Sequence, residues 1–347
     1  AEARETTDKI VHLFDSWLRY AGTNDKWHSR GREYFFGCVF EFVQRRARLE
    51  FCLPAFPCKS SNQDKVFGVL PDRGEQLALE HLYSFLEAIA EVYDEGAKLW
   101  IVSDGHVFSD CIGVDDQTVD QYSEQLIKMS SAISQNRRGK DLIGFKSLVD
   151  IFDLGGDKAA AVARQLQLPA LDSRIATRRT PAAELSRQML VHSCGTDPAA
   201  LRARIKAADR GALKLYRGFS RFMSEDLSQN RHTKHLSRCK LKQLASAVAF
   251  EMMQRNDAYS NLVELFFPNH VRLSIHAHDN AGPKFGIRMF GPGVRALDRL
   301  SLSAGEARSA DLLHVPTPWH NCIAVVSGQS TTVMTKAKVA REALARG

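Results

Sequence analysis

Lys59 is the lysine whose surroundings bear most directly on chemistry. It follows an apolar run, Leu49 to Phe56, and a proline, and it sits in a Ser- and Asn-rich loop, Pro57-Cys58-Lys59-Ser60-Ser61-Asn62. A lysine drawn partly out of water has a lowered pKa and can act as a base, whereas a charged one binds phosphate as a point charge. An ordinary loop lysine is the plainer reading. Ser103-Asp104-Gly105 follows a second apolar run, Leu99-Trp100-Ile101-Val102. In α/β proteins ligands bind just past the carboxyl ends of such doubly buried strands. Asp104 can there hold an ammonium group or take a proton. A simple turn, with Asp bonding its own backbone and Gly at positive φ, fits the same residues.

Arg272-Leu273-Ser274-Ile275-His276 alternates polar and apolar positions. As a strand it projects Arg272, Ser274 and His276 from one face and buries Leu273 and Ile275. That face is either a cleft wall or a half-exposed edge. Thr317-Pro318-Trp319-His320-Asn321 is a rigid turn ahead of the apolar run Cys322–Val326. Trp319 and His320 read there as a pocket wall, or as a packing Trp beside a satisfied His. Asp72-Arg73-Gly74-Glu75 supplies an N-cap Asp and its capping-box Glu. It also joins the Lys59 loop to the next helix, so Asp72 and Glu75 suit a substrate role equally well.

His276-Ala277-His278-Asp279, with the distant His320, has the residue types of a two-His, one-carboxylate iron site. The adjacency of His278 and Asp279 works against it, because on a strand Asp279 points to the opposite side from the two histidines. Neither a GxxxxGK[ST] phosphate loop nor a GxSxG nucleophile elbow occurs. Gly291-Pro292-Gly293-Val294-Arg295-Ala296 spells GxGxxA, but Pro292 removes a backbone donor where a pyrophosphate would be cradled. A turn is the better reading.

These groups need elements to position them. Residues 6–20 and 32–49 read as amphipathic helices, as do Gly74 to Tyr93 and residues 118–137. Leu49–Phe56, Leu99–Val102 and Asp141–Phe145 read as strands between them. This alternation predicts an α/β fold with a largely parallel, Rossmann-like sheet flanked by helices. Ala159–Leu166, Pro181–His192, Pro198–Asp226 and Lys234–Arg255 form a mostly helical insertion or cap. Strands return at Val271–His276, Phe285–Met289, Cys322–Ser327 and Thr331–Thr335. The first and last thirds are therefore expected to share one sheet. The division is an N-terminal helix (1–30), a first half of the α/β domain (31–155), the helical insertion (156–256) and a second half (257–347).

The 347 residues are 44% hydrophobic and 25% charged, ordinary globular usage that argues against disordered or fibrous classes. No apolar run reaches the ~18 residues of a membrane span. The seven cysteines form no CxxC pair and mostly lie among apolar neighbours, as expected of reduced thiols in a cytoplasmic protein. The net charge is +7, and Arg202 to Lys242 alone holds twelve Lys/Arg against three Asp/Glu. That segment suits a phosphorylated small molecule, a nucleic acid, or a solvated helix face.

Taken together, Phe56-Pro57-Cys58-Lys59-Ser60, Pro71-Asp72-Arg73-Gly74-Glu75, Ser103-Asp104-Gly105-His106-Val107-Phe108, Tyr216-Arg217-Gly218-Phe219, Arg272 to His276 and Thr317 to Asn321 resemble, in order and spacing, the isocyanide (isonitrile) synthases of the pyoverdine/dityrosine biosynthesis family. The resemblance runs from about residue 30 to 335, and the basic Tyr216–Phe222 helix is most similar to fungal members. Cys58 and Arg73 depart from the family pattern, which bears on substrate preference more than on reaction type.

The resemblance implies an enzyme that converts the α-amine of an L-amino acid to an isocyanide. The carbon comes from C2 of ribulose 5-phosphate, and no redox cofactor or metal takes part. It also implies a fused or separate iron/2-oxoglutarate dioxygenase as a companion activity. The amine attacks the C2 ketone to give an imine, and later steps release phosphate and the sugar fragments. These steps call for general acid/base groups and fixed cations. On this reading Lys59 acts as base or polarises a sugar oxygen, and Asp104 orients or deprotonates the amine. Arg272 and Ser274 anchor phosphate or carboxylate, and His276 and His320 shuttle protons. Ser103 and Trp319 line the substrate site, and Arg231, Lys240 and Lys242 supply phosphate contacts. The alternatives are a non-haem iron oxygenase using His276, His278 or Asp279, and His320, and a nucleic-acid-binding module using residues 202–242.

Overall fold

The first two apolar runs read as strands become neighbours at the centre of the fold. In the computed structural model β1 (Leu49–Pro54) pairs in parallel with β2 (Ala97–Val102), which pairs in parallel with β3 (Ile143–Lys146). On the other side β1 pairs with β4 (Val271–Ser274), and β4 with β5 (Lys284–Gly286). The order β3-β2-β1-β4-β5 is that of a doubly wound sheet, all parallel. The direction of winding reverses between β1 and β4, and this switch point is where such sheets open a ligand crevice. The structure describes residues 1–137, 141–276, 278–291, 294–296, 317–320, 323–327 and 330–334. Ala277, Pro292, Gly293, Asn321, Cys322 and Thr335 lie outside the described residues.

Alternation along the strands sorts the two faces. Phe51, Leu53, Leu99 and Ile101 join one core with α1 (Glu2–Asp15), α2 (Arg32–Gln44) and α3 (Arg73–Ala90). Helix α3 buries Leu79, Leu82, Phe85, Leu86 and Ile89 there, each worth roughly 1.5–3 kcal/mol of apolar transfer. On the opposite face Cys52 and Val102 pack with Val107 of the short α4 (Gly105–Phe108) and with later helices. Then come α5 (Asp116–Gln135), α6 (Leu148–Ile151), α7 (Lys158–Leu166), α8 (Pro181–Cys194), α9 (Pro198–Lys206), α10 (Arg210–Gln229) and α11 (Arg238–Phe266).

Two corrections to the sequence reading concern element boundaries. The helix expected over Pro198–Asp226 is two helices. Ala208 takes a positive φ of 56°, and Asp209 caps a new start, accepting the Ala212 N–H at 2.8 Å. The strands of the last third also divide. β4 and β5 complete the main sheet, but β7 (Ile323–Ser327) and β8 (Ser330–Met334) form a hairpin with β6 (Val294–Ala296) in a separate sheet.

Two buried arginines fasten the helical segment to the sheet. Arg187 of α8 grips Asp116 with both nitrogens, at 2.8 and 3.0 Å, and Arg255 of α11 grips Asp110 at 2.6 and 3.0 Å. Burial would raise Asp110, but Arg255 and Arg187 hold it below the ordinary carboxylate value. The same guanidinium groups donate to the carbonyls of His106 and Val107, which fixes α4 at the end of β2. No helix among the described residues is long and apolar enough to cross a membrane.

Candidate active site

A cavity of about 240 Å³ opens at the carboxyl ends of β1, β2 and β4. One wall comes from the residues after β1, including Pro57, Cys58 and Ser60, and Asp104 enters from the end of β2. β4 and the residues after it supply Arg272, Ser274, His276 and His278. Helices α10 and α11 close the top with Leu215, Phe219, Phe222 and Met252. Trp319 and His320 complete the enclosure from a turn far along the chain. Seven of the candidate residues read from the sequence thus meet in one space: Asp104, Arg272, Ser274, His276, His278, Trp319 and His320.

Asp104 is the group most out of balance with its surroundings. It starts α4, yet its side chain makes no capping bond to that helix. Its Oδ1 is buried and meets no hydrogen-bond donor among the described residues. Burial pushes its carboxyl up to about 6, eased only by its own backbone N–H. A carboxyl held near neutrality in a cleft, rather than fully ionised or fully paired, is suited to exchange a proton with a bound amine.

The histidines of the cavity sit in unlike surroundings. His278 Nε2 lies 2.9 Å from Ser274 Oγ, and burial lowers its imidazole to about 4. Burial, then His276 and Lys65, push His320 down to about 3. His320 therefore stays neutral near pH 7, wedged edge-on between Phe222 and Trp319. Its neutral ring keeps one N–H and one acceptor nitrogen, so it can donate to or accept from a polar atom of a bound molecule. Asp279 turns away to Lys26, at 3.0 Å. Among the described residues no three His, Cys, Asp or Glu side chains are placed to hold a metal ion.

Lys59 is not among the residues that line the cavity. Its ammonium lies behind the wall, fully buried, and donates to Asp72 Oδ2 at 2.9 Å, Glu75 Oε2 at 2.8 Å and the Pro318 carbonyl at 2.8 Å. All three of its protons are so engaged. Asp72 and Glu75 form the capping box of α3, as their spacing foretells. Glu75 also accepts the Tyr122 hydroxyl at 3.1 Å, and burial lifts it to about 7 despite Lys59. Ser103 likewise supports rather than lines the site, donating to the Phe56 carbonyl at 3.2 Å. Ser60 donates to the buried Asp226, whose partner Lys65 stands over the Phe222 ring.

Arg231, Lys240 and Lys242 do not reach the cavity. Arg231 is exposed and pairs with Asp115 at 2.5 Å, and both lysines lie exposed at the start of α11. The basic segment is a solvated face, and its aromatics Phe219 and Phe222 point into the protein, over the cavity. Sequence reasoning missed Lys284, Ser260 and Asn256, all of which line it. Lys284 had a signal: extending the Phe285–Met289 alternation by one residue places it on a polar position. Cys58 lies at the cavity wall, where burial pushes its thiol up to about 12, whereas Arg73 faces Glu80 outside.

Comparisons with known proteins accord with this geometry. The family described as pyoverdine/dityrosine biosynthesis protein matches residues 39–347. The spore wall maturation protein DIT1 of Saccharomyces cerevisiae is 44% identical over 339 residues, 97% of this chain and 63% of that protein. The chain therefore spans less than two thirds of that relative's length. An L-tryptophan isonitrile synthase of Fischerella ambigua is 33% identical, covering 85% of this chain and 73% of its own. The crystal structure of the PvcA protein from Pseudomonas aeruginosa superposes with a TM-score of 0.75 at 26% identity, over 97% of this chain and 94% of that one. From the span of the family match and the level of identity, the chain belongs to the pyoverdine/dityrosine biosynthesis protein family.

Proposed function

We propose that this chain is an isocyanide synthase that converts the α-amino group of an L-amino acid to an isocyanide, taking the carbon from C2 of ribulose 5-phosphate without a cofactor. The observation that carries the chemistry is the lone carboxyl of Asp104, poised near pH 6 in an enclosed cavity. An amino acid enters as an ammonium ion and attacks a ketone only as the free amine. Asp104 accepts that proton and returns it when the carbinolamine loses water to form the imine. Enclosure by Phe219, Phe222 and Trp319 keeps bulk water from competing for the ketone. Arg272 and Ser274 anchor an anionic end of a substrate, Trp319 packs against it, and His276 and neutral His320 orient the reacting oxygens. Lys59, Asp72, Glu75 and Ser103 hold this wall in place. The isonitrile synthase relatives support the reaction type, and a fused or separate iron/2-oxoglutarate dioxygenase remains the companion activity of this reading.

Incubation of the purified chain with ribulose 5-phosphate and single amino acids tests it. An isocyanide stretch in the infrared, and a trapped adduct by mass spectrometry, are the expected results. A complete panel of proteinogenic amino acids that yields neither would reject the assignment.

A further inference from the structure

Arg272 on β4 and Lys284 on β5 are register partners in a parallel strand pair, so their side chains leave the sheet on the same face. Both donate to one hydroxyl oxygen: Arg272 Nη2 lies 3.1 Å and Lys284 Nζ 3.0 Å from Ser260 Oγ of α11. All three residues line the cavity. Like charges set opposite one another on adjacent strands weaken a sheet. The carboxylate nearest to offsetting them is Glu264, 2.7 Å from Arg272, with 61% of its side chain open to solvent. Lys284 has no carboxylate within ion-pair distance among the described residues. Burial, reinforced by Arg272, pulls its ammonium below the ordinary lysine value. Arg272 thus has one carboxylate, at the solvent edge, and Lys284 feels Glu264 and Asp257 only at longer range; an anion bound between the two cations would complete their charge balance.

We propose that Arg272, Lys284 and Ser260 form an oxyanion subsite of this cavity that takes the phosphate monoester end of a substrate. A phosphate monoester carries roughly −1.5 to −2 charge and three acceptor oxygens at pH 7. Two cations and a hydroxyl match that demand, whereas a carboxylate is satisfied by one bidentate arginine. The subsite lies on the β4–β5 side and Asp104 on the β2 side, so a sugar phosphate anchored here extends its carbon chain toward the carboxyl. Identification of the ester as ribulose 5-phosphate rests on the isocyanide synthase reading; the subsite itself rests on the geometry alone.

Inorganic phosphate is the probe, titrated into the full chain by calorimetry. Saturable binding is expected, weakened at least about tenfold by Lys284→Gln and largely restored by Lys284→Arg. A second measurement needs no variant: phosphate should slow acetylation of Lys284 by acetic anhydride in the unaltered chain, read by peptide mass spectrometry, and leave exposed Lys9 unaffected. Absence of saturable binding, unchanged affinity in folded Lys284→Gln, or an unprotected Lys284 overturns the subsite. A Lys284→Gln chain that keeps phosphate but loses affinity for free amino acid assigns the groove to a carboxylate and overturns it too. Phosphate binding with no isocyanide formed would sink the reaction and leave the subsite; isocyanide formation with Lys284 unprotected would do the reverse.

Discussion

Two groups of charges flank the turn that carries Trp319 and His320, and they are built on opposite plans. Behind the turn, Lys59, Asp72, Glu75 and Tyr122 form a closed set in which the lysine's three protons and both Glu75 oxygens have partners. In front of it, Asp104 leaves one oxygen without a donor among the described residues, and Arg272 and Lys284 share the Ser260 hydroxyl, with Glu264 pairing Arg272 alone. Both sets are at least half withdrawn from water, yet the second leaves Asp104 Oδ1 without a donor and Lys284 without an ion-paired carboxylate among the described residues. A buried ion with a full complement of partners is committed to holding structure, because moving any proton in it breaks several bonds. A buried ion lacking partners costs the fold stability and persists where a ligand completes it.

The largest effect that can break this contrast is at Asp104. Asp104→Asn should lower kcat/KM for isocyanide formation by about 10²- to 10⁴-fold, the usual contribution of a general acid/base group. In the parent chain, kcat/KM should rise with pH through about 6, as the carboxyl becomes a base. Stability runs the other way. The folded value lies above the ordinary 3.8, so the folded state holds this proton more tightly. Asp104's favourable contribution is complete below the unfolded value and is lost as pH rises through about 6. Melting curves should show Asp104→Asn gaining on the parent between roughly pH 4 and 6. Full activity in Asp104→Asn would place the chemistry elsewhere.

Next in size is Lys59→Ala, which strands Glu75 and Asp72 behind the wall. Denaturant titration should record a loss of about 3–5 kcal/mol, the range for breaking a buried pair. The activity of the chain that stays folded should fall less than in Asp104→Asn. A rate collapse without a loss of stability would return Lys59 to the catalytic role that its position in the sequence suggested. The smallest effect sharpens the boundary of the site. Replacing Arg231, Lys240 and Lys242 by Ala together should change stability by less than about 0.5 kcal/mol per site and leave the KM for sugar phosphate unmoved. A several-fold rise in that KM would restore the basic helix as a phosphate contact.

The sheet was legible because β1 and β2 are buried on both faces, and such strands write themselves as unbroken apolar runs. Asp104 was legible for the same reason, since the end of a buried strand is a place as well as a residue. Arg272, Ser274 and His276 followed from strand alternation. What spacing could not reveal was direction. Lys59 and Glu75 were found, but nothing local says that Lys59 points back toward α3 and the Pro318 carbonyl, 259 positions away. Arg231, Lys240 and Lys242 stood out by charge density, a property that solvated helix faces share with binding sites. Lys284 was passed over because its strand is three residues long and its partner Arg272 lies in another segment. The break before α10 was readable at Asp209, an N-cap residue type hidden inside a long run of helix formers.

The turn at Pro318–His320 is tied to the loop after β1 by two bonds, Lys59 Nζ to the Pro318 carbonyl and Ser60 N–H to the Trp319 carbonyl. Closing so long a loop brings together segments that leave the ribosome more than 250 residues apart. A nascent chain that has formed its sheet and helices still lacks one side of its reaction chamber until His320 has been translated.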